Sequence, residues 1–292
     1  MLAIACIATC SCSKEQSSAD NQQVSNIQLS ISTLDISYGG STPTRASASD
    51  AVSRLAFKVF DPEGNVAYQL SQHKSAEGFG SIGFELAPGE YTFVAIGHKG
   101  ASGTTDGSDA ANIITPAFAQ LSTPVAYETF SRTMAVTVEP GKDFQADMTL
   151  NRIVTAFVLN TEDNIPDNAK TLRITLNTGA EAAGDNPSFN PADGLATLER
   201  QYTRDWDISS LTGQTINELT INAFLTTSSE TTMDVLAEVL DADGNAIATH
   251  ALADVPFKIN RQTVASGMFF NATAGGTLQI DTDWEADYSL SY

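Results

Sequence analysis

Residues 55–70 read LAFKVFDPEGNVAYQL, and apolar side chains alternate with polar ones on both sides of a central turn sequence. Such a period of two puts the apolar side chains on one face of a β-strand. Residues 61–65 (DPEGN) supply the proline, glycine, aspartate and asparagine that favour a tight turn between two strands. The stretch therefore predicts an antiparallel hairpin with one buried face.

The same design returns in residues 235–252, VLAEVLDADGNAIATHAL, where DADGN takes the place of DPEGN. Two further runs, 91–96 (YTFVAI) and 153–159 (IVTAFVL), are apolar at nearly every position. Strands of that kind lie in the middle of a sheet that is covered on both faces. Short strands and glycine-rich turns fill most of the chain, so we expect an all-β fold of two sandwich-like domains, 26–150 and 151–292.

One segment departs from this pattern. Residues 99–109 are rich in glycine, serine, threonine and aspartate, and they are expected to form an exposed loop. Residues 109–121 after it allow a short helix, which Pro116 would interrupt because proline removes a helix hydrogen bond.

The charge balance excludes several classes of partner. The chain has 292 residues, with 35 acidic and 15 basic side chains, which gives a formal net charge of −20. A surface this negative repels phosphate backbones, so we expect no nucleic-acid partner. The 3 cysteines all lie within the first twelve residues. The body of the protein is therefore expected to contain no disulfide, zinc–thiolate site or thiol nucleophile.

The first twelve residues, MLAIACIATCSC, are typical of an export signal because they are apolar and end in small residues. They are too few to cross a bilayer, and residues 13–25 after them form a polar tether. This order resembles a bacterial lipoprotein signal, in which a cysteine becomes the acylated first residue of the mature chain. Cys12 is the preferred acceptor because the tether starts directly after it, and Cys10 is the alternative. We therefore expect an outer-membrane lipoprotein at the cell surface.

The first strand is expected over residues 27–36. Its apolar residues occupy odd-numbered positions at first and even-numbered positions later, and a bulge near residues 32–33 would explain this change. Residues 39–43 (GGSTP) then end the strand in a loop. The apolar residues are Ile27, Leu29 and Ile31 on one parity, and Leu34 and Ile36 on the other.

Residues 278–292 alternate between apolar and polar side chains without interruption. This run is longer than the usual strand of about 5–6 residues. A long amphipathic strand at a free end is able to dock into a groove on another molecule. Residues 278–284 are expected to close the chain's own sheet, whereas 286–292 are left open between that role and docking. The apolar positions of the second part are Ala286, Tyr288, Leu290 and Tyr292.

Motifs for catalysis, cofactors and metals are absent or lack their context. Residues 78–83 (GFGSIG) match the dinucleotide-binding spacing, but a strand rather than a helix follows, which favours a loop or hairpin connection. Residues 241–245 (DADGN) lack the remaining ligands of a calcium loop. His73, His98 and His250 have no ligand spacing, and the last two are expected at surface or edge positions. We expect no enzymatic activity, no cofactor and no metal site.

Several segments in combination resemble the fimbrillin-type pilus proteins of Bacteroidota, the FimA, FimB and Mfa kind. The resemblance covers essentially the whole chain. The segments that carry it are the lipoprotein start at Cys12, residues 55–65, the LAPGEY run 86–91 with 93–96 after it, NRIV at 151–154, INRQT at 259–263 and GMFF at 267–270.

This resemblance implies two transthyretin-like β-sandwich domains in tandem and assembly with other pilin subunits by strand exchange. In polymerising members an arginine-specific protease removes the first strand, and a neighbour's donor strand fills the groove. The matching cleavage site is the bond between Arg45 and Ala46, in an exposed loop of the kind that proteases cut. Arg54 is a weaker alternative because it adjoins a strand. The displaced strand would be 27–36, and the donor would be 286–292.

Three functions remain open from the residues alone. The resemblance favours a structural or anchor subunit of a cell-surface fimbria, with a role in adhesion and contacts with host or bacterial surface ligands. A second reading is a surface lipoprotein that binds carbohydrate or a host protein as a monomer. A β-sandwich glycosidase is the third, and it would need two carboxylates that converge in a cleft.

Overall fold

The structure, a computed structural model, describes residues 24–35, the backbone of 45–47, and residues 51–100, 110–181, 184–270 and 278–281. Within these residues the regular structure is almost entirely β, and it includes a short 3₁₀ helix at Ser209–Leu211. The first strands are β1 (Ser25–Asp35), β2 (Arg45–Ser47), β3 (Arg54–Phe60), β4 (Val66–His73), β5 (Ser81–Leu86), β6 (Gly89–His98), β7 (Asn112–Thr115), β8 (Phe118–Gln120), β9 (Thr129–Val138) and β10 (Phe144–Arg152). The later strands are β11 (Thr155–Thr161), β12 (Thr171–Leu176), β13 (Ser188–Phe189), β14 (Tyr202–Asp207), β15 (Leu219–Ala223), β16 (Glu230–Leu240), β17 (Ala246–Lys258), β18 (Gln262–Gly267) and β19 (Gln279–Asp281).

The first sandwich is built from one eight-stranded sheet with the order β2-β1-β10-β9-β6-β3-β4, and β5 also pairs with β1. The hairpin expected in residues 55–70 is confirmed, because β3 and β4 pair antiparallel around the turn. The Asp61 carboxylate accepts a hydrogen bond from the backbone N–H of Asn65 at 2.7 Å. Gly64 has a φ of +86° in the same turn, a conformation that glycine adopts without strain.

This sheet folds over so that β4, at one end, faces β5, which pairs with β1 near the other end, across a core. Tyr68 of β4 stacks on Phe84 of β5, with ring centroids 4.1 Å apart and an interplanar angle of 8°. Phe57 of β3 and Phe93 of β6 meet edge to face at 5.7 Å in the same cluster. Offset and edge-to-face ring pairs of this kind add to the stabilisation that burial alone provides. The two ends of one sheet thus act as the two layers of a sandwich.

Strand β6 is buried on both faces, as the apolar run 91–96 predicted. It lies between β3 and β9, and residues 93–96 are all 0% exposed. Phe93 and Ala95 belong to the core of the first sandwich. Val94 and Ile96 face the other way, into a second core that also contains residues of β11–β18. The two sandwiches therefore share continuous apolar packing.

The second sandwich consists of two four-stranded sheets, β15-β11-β18-β19 and β14-β12-β16-β17. Its hairpin β16–β17 confirms the pattern of residues 235–252, and Asp241 again caps the turn by accepting from Asn245 N–H at 2.8 Å. The central position expected for residues 153–159 is also confirmed, because β11 lies between β15 and β18.

The helix that residues 109–121 allowed does not form. This segment is a hairpin of β7 and β8, and β8 pairs in turn with β13 from the second half of the chain. Pro116 lies in the turn between the two strands, where its missing N–H costs no ladder hydrogen bond. Ile113 and Ala119 are buried in the shared core, so the hairpin lies between the two sandwiches.

Candidate functional site

Strand β1 is inserted into the interior of the first sheet. On one side it pairs with β10 in parallel, with Ile27 opposite Phe144 and Leu34 opposite Leu150. On the other side its first half pairs antiparallel with β5, and its last residues pair antiparallel with β2. Most of its backbone groups are therefore satisfied by three different strands that come later in the chain.

The apolar residues of β1 fill the core of the first sandwich. The register shifts between Ser30 and Thr33, which confirms the bulge inferred from the change of parity. Burial of one aliphatic side chain stabilises a fold by about 1.5–3 kcal/mol, so the whole set contributes on the order of 10 kcal/mol. Ile36 lies outside the described residues. The exposed fractions are 0% for Ile27, 3% for Leu29, 0% for Ile31 and 0% for Leu34.

Polar contacts fix the position of β1 along its neighbours. The Ser25 hydroxyl donates to the backbone carbonyl of Glu139 at 2.9 Å, near the start of the strand. Asn26 donates through its side-chain amide to Asp143 Oδ1, also at 2.9 Å. Near the other end the hydroxyls of Thr33 and Thr149 are 2.9 Å apart. These contacts are few and lie toward the ends, so burial contributes more than they do to holding the strand in place.

Gly80 presses its backbone against the middle of β1. It lies in the connection from β4 to β5, as expected for residues 78–83, and its carbonyl accepts from Ile31 N–H at 2.7 Å. A Cβ atom at Gly80 would lie 2.5 Å from the Ile31 carbonyl oxygen, and the φ there is +83°. Gly64 has a nearly identical φ of +86° and nothing within 4 Å of such an atom. Comparing substitutions at Gly80 and Gly64 therefore separates the effect of backbone strain from the effect of contact with β1.

We expect Gly80→Ala to lower the free energy of unfolding by more than Gly64→Ala. Both substitutions pay the strain of a positive φ, about 1 kcal/mol or more. Only Gly80→Ala must also displace the backbone of β1. Urea denaturation of the two variants measures the difference. Equal losses at the two positions would mean that β1 moves aside without cost.

The proposed cleavage site differs from its expected setting. Residues 45–47 form β2 rather than a loop, because their backbone pairs with β1 and places Asp35 opposite Arg45 and Leu34 opposite Ala46. β2 lies at the edge of the sheet, so its other side carries no strand of the described chain. Arg54 is only 2% exposed at the start of β3. Burial therefore argues against Arg54 as a protease site.

The last described residues, 278–281, close the chain's own sheet, as expected for the first part of 278–284, whereas residues 282–284 lie outside the described residues. Leu278 is 9% exposed, and β19 pairs antiparallel with β18. The donor residues Ala286, Tyr288, Leu290 and Tyr292 lie outside the described residues, as do the acylation candidates Cys12 and Cys10.

Arg152 joins the two sandwiches, a role that sequence reasoning missed. It is 3% exposed at the end of β10, and its Nη2 and Nε atoms donate to Glu128 Oε1 at 2.6 and 3.1 Å. Its Nη1 donates to Asn260 Oδ1 at 3.0 Å, in the turn between β17 and β18. The guanidinium also lies 5.0 Å from the ring centroid of Phe130. Arg152 and Asn260 belong to two segments that carried the family resemblance, but nothing local in the sequence indicates that they meet.

The end of β1 lies near the same turn of the second sandwich. Desolvation lowers the pKa of Arg261, and the negative charge of Asp35 acts in the opposite direction. The backbone carbonyl of Arg261 accepts from Ala156 N–H at 3.1 Å, which fixes the turn against β11. The slot that holds β1 thus ends at the junction of the two sandwiches.

A metal-binding arrangement does not emerge from the described residues. No cluster of histidine, cysteine, aspartate and glutamate suited to a metal ion occurs among them. His250 lies on the edge strand β17, as expected, but His98 is buried at 1% exposure on β6, so its surface placement was wrong. Within the same ranges no helix has the length and apolar character needed to cross a bilayer.

Several solved structures are similar to this chain over most of its length. A candidate adhesin from Bacteroides ovatus matches with a TM-score of 0.51 at 14% identity, over 92% of this chain and 96% of that one. The fimbrial anchor protein Mfa2 from Porphyromonas gingivalis matches with a TM-score of 0.48 at 12% identity, over 88% and 95%. The tip fimbrial protein Mfa3 from the same organism has a TM-score of 0.43 at 12% identity, over 88% and 99%.

These identities are low, so the likeness concerns the fold. The adhesin comparison supports the all-β architecture of two sandwiches in tandem that the sequence predicted. No curated protein matches the chain in sequence. A family model matches residues 19–291, which is nearly the whole chain. The chain therefore belongs to DUF6562, a family of unknown function.

Proposed function

We propose that this chain is a non-enzymatic subunit of a cell-surface fimbria, with a role in adhesion, that assembles by strand exchange. In this proposal Cys12, or alternatively Cys10, carries the lipid that anchors the exported protein in the outer membrane. Cleavage between Arg45 and Ala46 releases β1, and a neighbouring subunit fills the vacated slot. The candidate adhesin that shares the fold supports a role of this kind at the cell surface.

The observation that carries the proposal is the position of β1. It is the first described strand, yet it lies inside the sheet between β10 and the pair β5 and β2. Its covalent link to the rest of the protein runs only through residues 36–44. A cut between Arg45 and Ala46, within β2, would therefore free β1 together with residues 36–45 and leave the chain from Ala46 onward continuous.

Loss of β1 makes the binding of another strand in its place energetically favourable. It exposes the core positions that four aliphatic side chains occupy, and it leaves the facing edges of β10 and β5 unpaired. Unpaired backbone groups and exposed apolar surface both cost free energy. A strand from a neighbour would satisfy both, so assembly needs no nucleotide hydrolysis.

Residues 286–292 suit this slot in their pattern. Ile27, Leu29 and Ile31 point into the core at every second position before the bulge. A donor segment with uninterrupted alternation, such as 286–292, supplies side chains at that same spacing. The part of the slot beyond the bulge, at Leu34, has a different phase. We expect the donor to fill the first part and to leave the Leu34 position to other residues.

Mass spectrometry and gel electrophoresis test the proposal together. Protein extracted from the cell surface should have an N-terminus at Ala46. Chain treated with an arginine-specific protease should form ladders on SDS gels run without boiling, and a variant lacking 286–292 should not. Recovery of only the acylated, uncleaved form would rule out a shaft role and leave a membrane anchor. Ladders from the variant lacking 286–292 would overturn the donor assignment.

A further inference from the structure

A cavity of about 190 Å³ opens between the two sheets of the second sandwich. One wall is β14 with the residues before it, the other wall is the edge strand β15, and residues 124–126 from the first half of the chain border the opening. A protein cavity of about 150 Å³ accommodates one benzene-sized ring. This cavity therefore has room for one six-membered ring, whose substituents would extend toward the solvent side.

Arg204 brings a positive charge to this cavity. Its guanidinium lies 4.9 Å from the ring centroid of Trp206, and one Nη atom donates to the backbone carbonyl of Thr220 at a long 3.4 Å. It has no ion-pair partner within the described part of the chain. Arg173 on the neighbouring strand β12 instead forms a bidentate pair with Asp205 at 2.8 and 2.7 Å. A guanidinium without a carboxylate is notable in a chain with a net charge of −20.

Two buried side chains hold the wall around Arg204 in place. Arg200 is 6% exposed and donates to the backbone carbonyl of Asp185 at 2.6 Å. Its guanidinium also stacks over the ring of Tyr202 at 5.3 Å. The Tyr202 hydroxyl donates to the Phe224 carbonyl at 3.2 Å, and burial raises the pKa of Tyr202 to about 12, so this donor stays protonated. The wall is thus preformed.

We propose that this cavity binds a carboxylate-bearing sugar ring, such as a uronic acid residue of a glycan. The fork of N–H groups on Arg204 matches the two oxygens of a carboxylate. The apolar side chains of Val125 and Ile221 would pack against the C–H face of the ring. A bare phosphate would leave those apolar walls uncovered. The site is separate from the β1 slot and does not depend on strand exchange.

Titration of the full chain with glucuronate tests this assignment. The chain has 2 tryptophans, so a Trp284→Phe background leaves Trp206, which stacks with Arg204, as the fluorescent reporter. Glucuronate should change the Trp206 emission in a saturable way, and glucose should do so only at concentrations about tenfold higher or more. Arg204→Gln should weaken glucuronate binding by about tenfold to a hundredfold, the usual weight of a charged hydrogen bond.

Arg173→Gln is the matched control, because it removes the same charge from the neighbouring strand outside the cavity. It should leave glucuronate binding within about twofold of the parent chain. Equal binding of glucose and glucuronate would overturn the role of Arg204, and so would equal effects of Arg204→Gln and Arg173→Gln. Phosphate that binds as tightly as glucuronate would overturn the sugar assignment. An absence of any saturable response to glucuronate would overturn the site itself.

Discussion

Replacing Arg45 with alanine is expected to abolish polymer formation, while the folded monomer stays as stable as the parent protein. An arginine-specific protease needs this side chain to cut before Ala46, and without the cut β1 keeps the slot occupied. Among the described strands β2 pairs with β1 alone, so its backbone already has the extended, one-sided form of an edge strand. Protease treatment followed by unboiled SDS gels measures the effect, with loss of the whole ladder as the expected result.

Arg132→Ala is the matched control for this experiment. Arg132 is an exposed arginine of β9, and its removal leaves the Arg45–Ala46 bond intact. Ladders should form from Arg132→Ala and not from Arg45→Ala. Full ladders from Arg45→Ala would show that cleavage occurs elsewhere or is unnecessary. Ladders missing from both variants would point to a general effect of lost positive charge.

Replacing Arg152 with alanine is expected to cause the largest loss of stability among single substitutions at the junction. The change removes a buried cation and leaves Glu128 without its partner, which typically costs about 3–5 kcal/mol. It also removes the hydrogen bond to Asn260 that links the first sandwich to the second. Urea denaturation should show a lower free energy of unfolding, and the two sandwiches should become separable in protease digestion.

The exposed pair of Arg173 and Asp205 provides the comparison. Its side chains are 40% and 46% exposed, so solvent screens the attraction. Arg173→Ala should therefore cost no more than about 1 kcal/mol. Asn260→Ala should fall between the two arginine variants, because it removes one partner and leaves Glu128 paired. A loss at Arg152 as small as the loss at Arg173 would mean that the junction is held by apolar packing alone.

Local features of the fold were predictable from short stretches of sequence. The hairpin of residues 55–70 follows from one alternation and one turn, and both signals lie within sixteen neighbouring positions. The bulge in β1 follows from a single change of parity between Ile31 and Leu34. Strand β6 showed its central position by being apolar on both faces. Each of these inferences depends on side chains that are adjacent in the chain.

Long-range pairing and buried charge were not predictable in the same way. Ile27 pairs with Phe144 across more than a hundred residues, and nothing local to either strand specifies that partner. From the sequence alone Arg152 would be placed at the surface, as charged residues usually are. Only the fold brings Glu128 and Asn260 to it. Pro116 suggested a broken helix, whereas the segment is a hairpin whose second strand, β8, pairs with β13 far along the chain. The cavity at Arg204 likewise requires two sheets to be placed side by side.

The parallel pairing of β1 with β10 has a mechanical consequence. Suppose that the residues before Ser25 are pulled while the second sandwich, beyond Arg152, is held. The force then acts on the first residues of β1 and on the last residues of β10, which lie at opposite ends of the parallel pair. Parallel strands loaded in this way slide along each other, so every hydrogen bond between them bears the force at once instead of opening one after another. A strand that replaced β1 in the same direction would meet the load with the same geometry. We therefore expect resistance to stretching to reside in this one ladder.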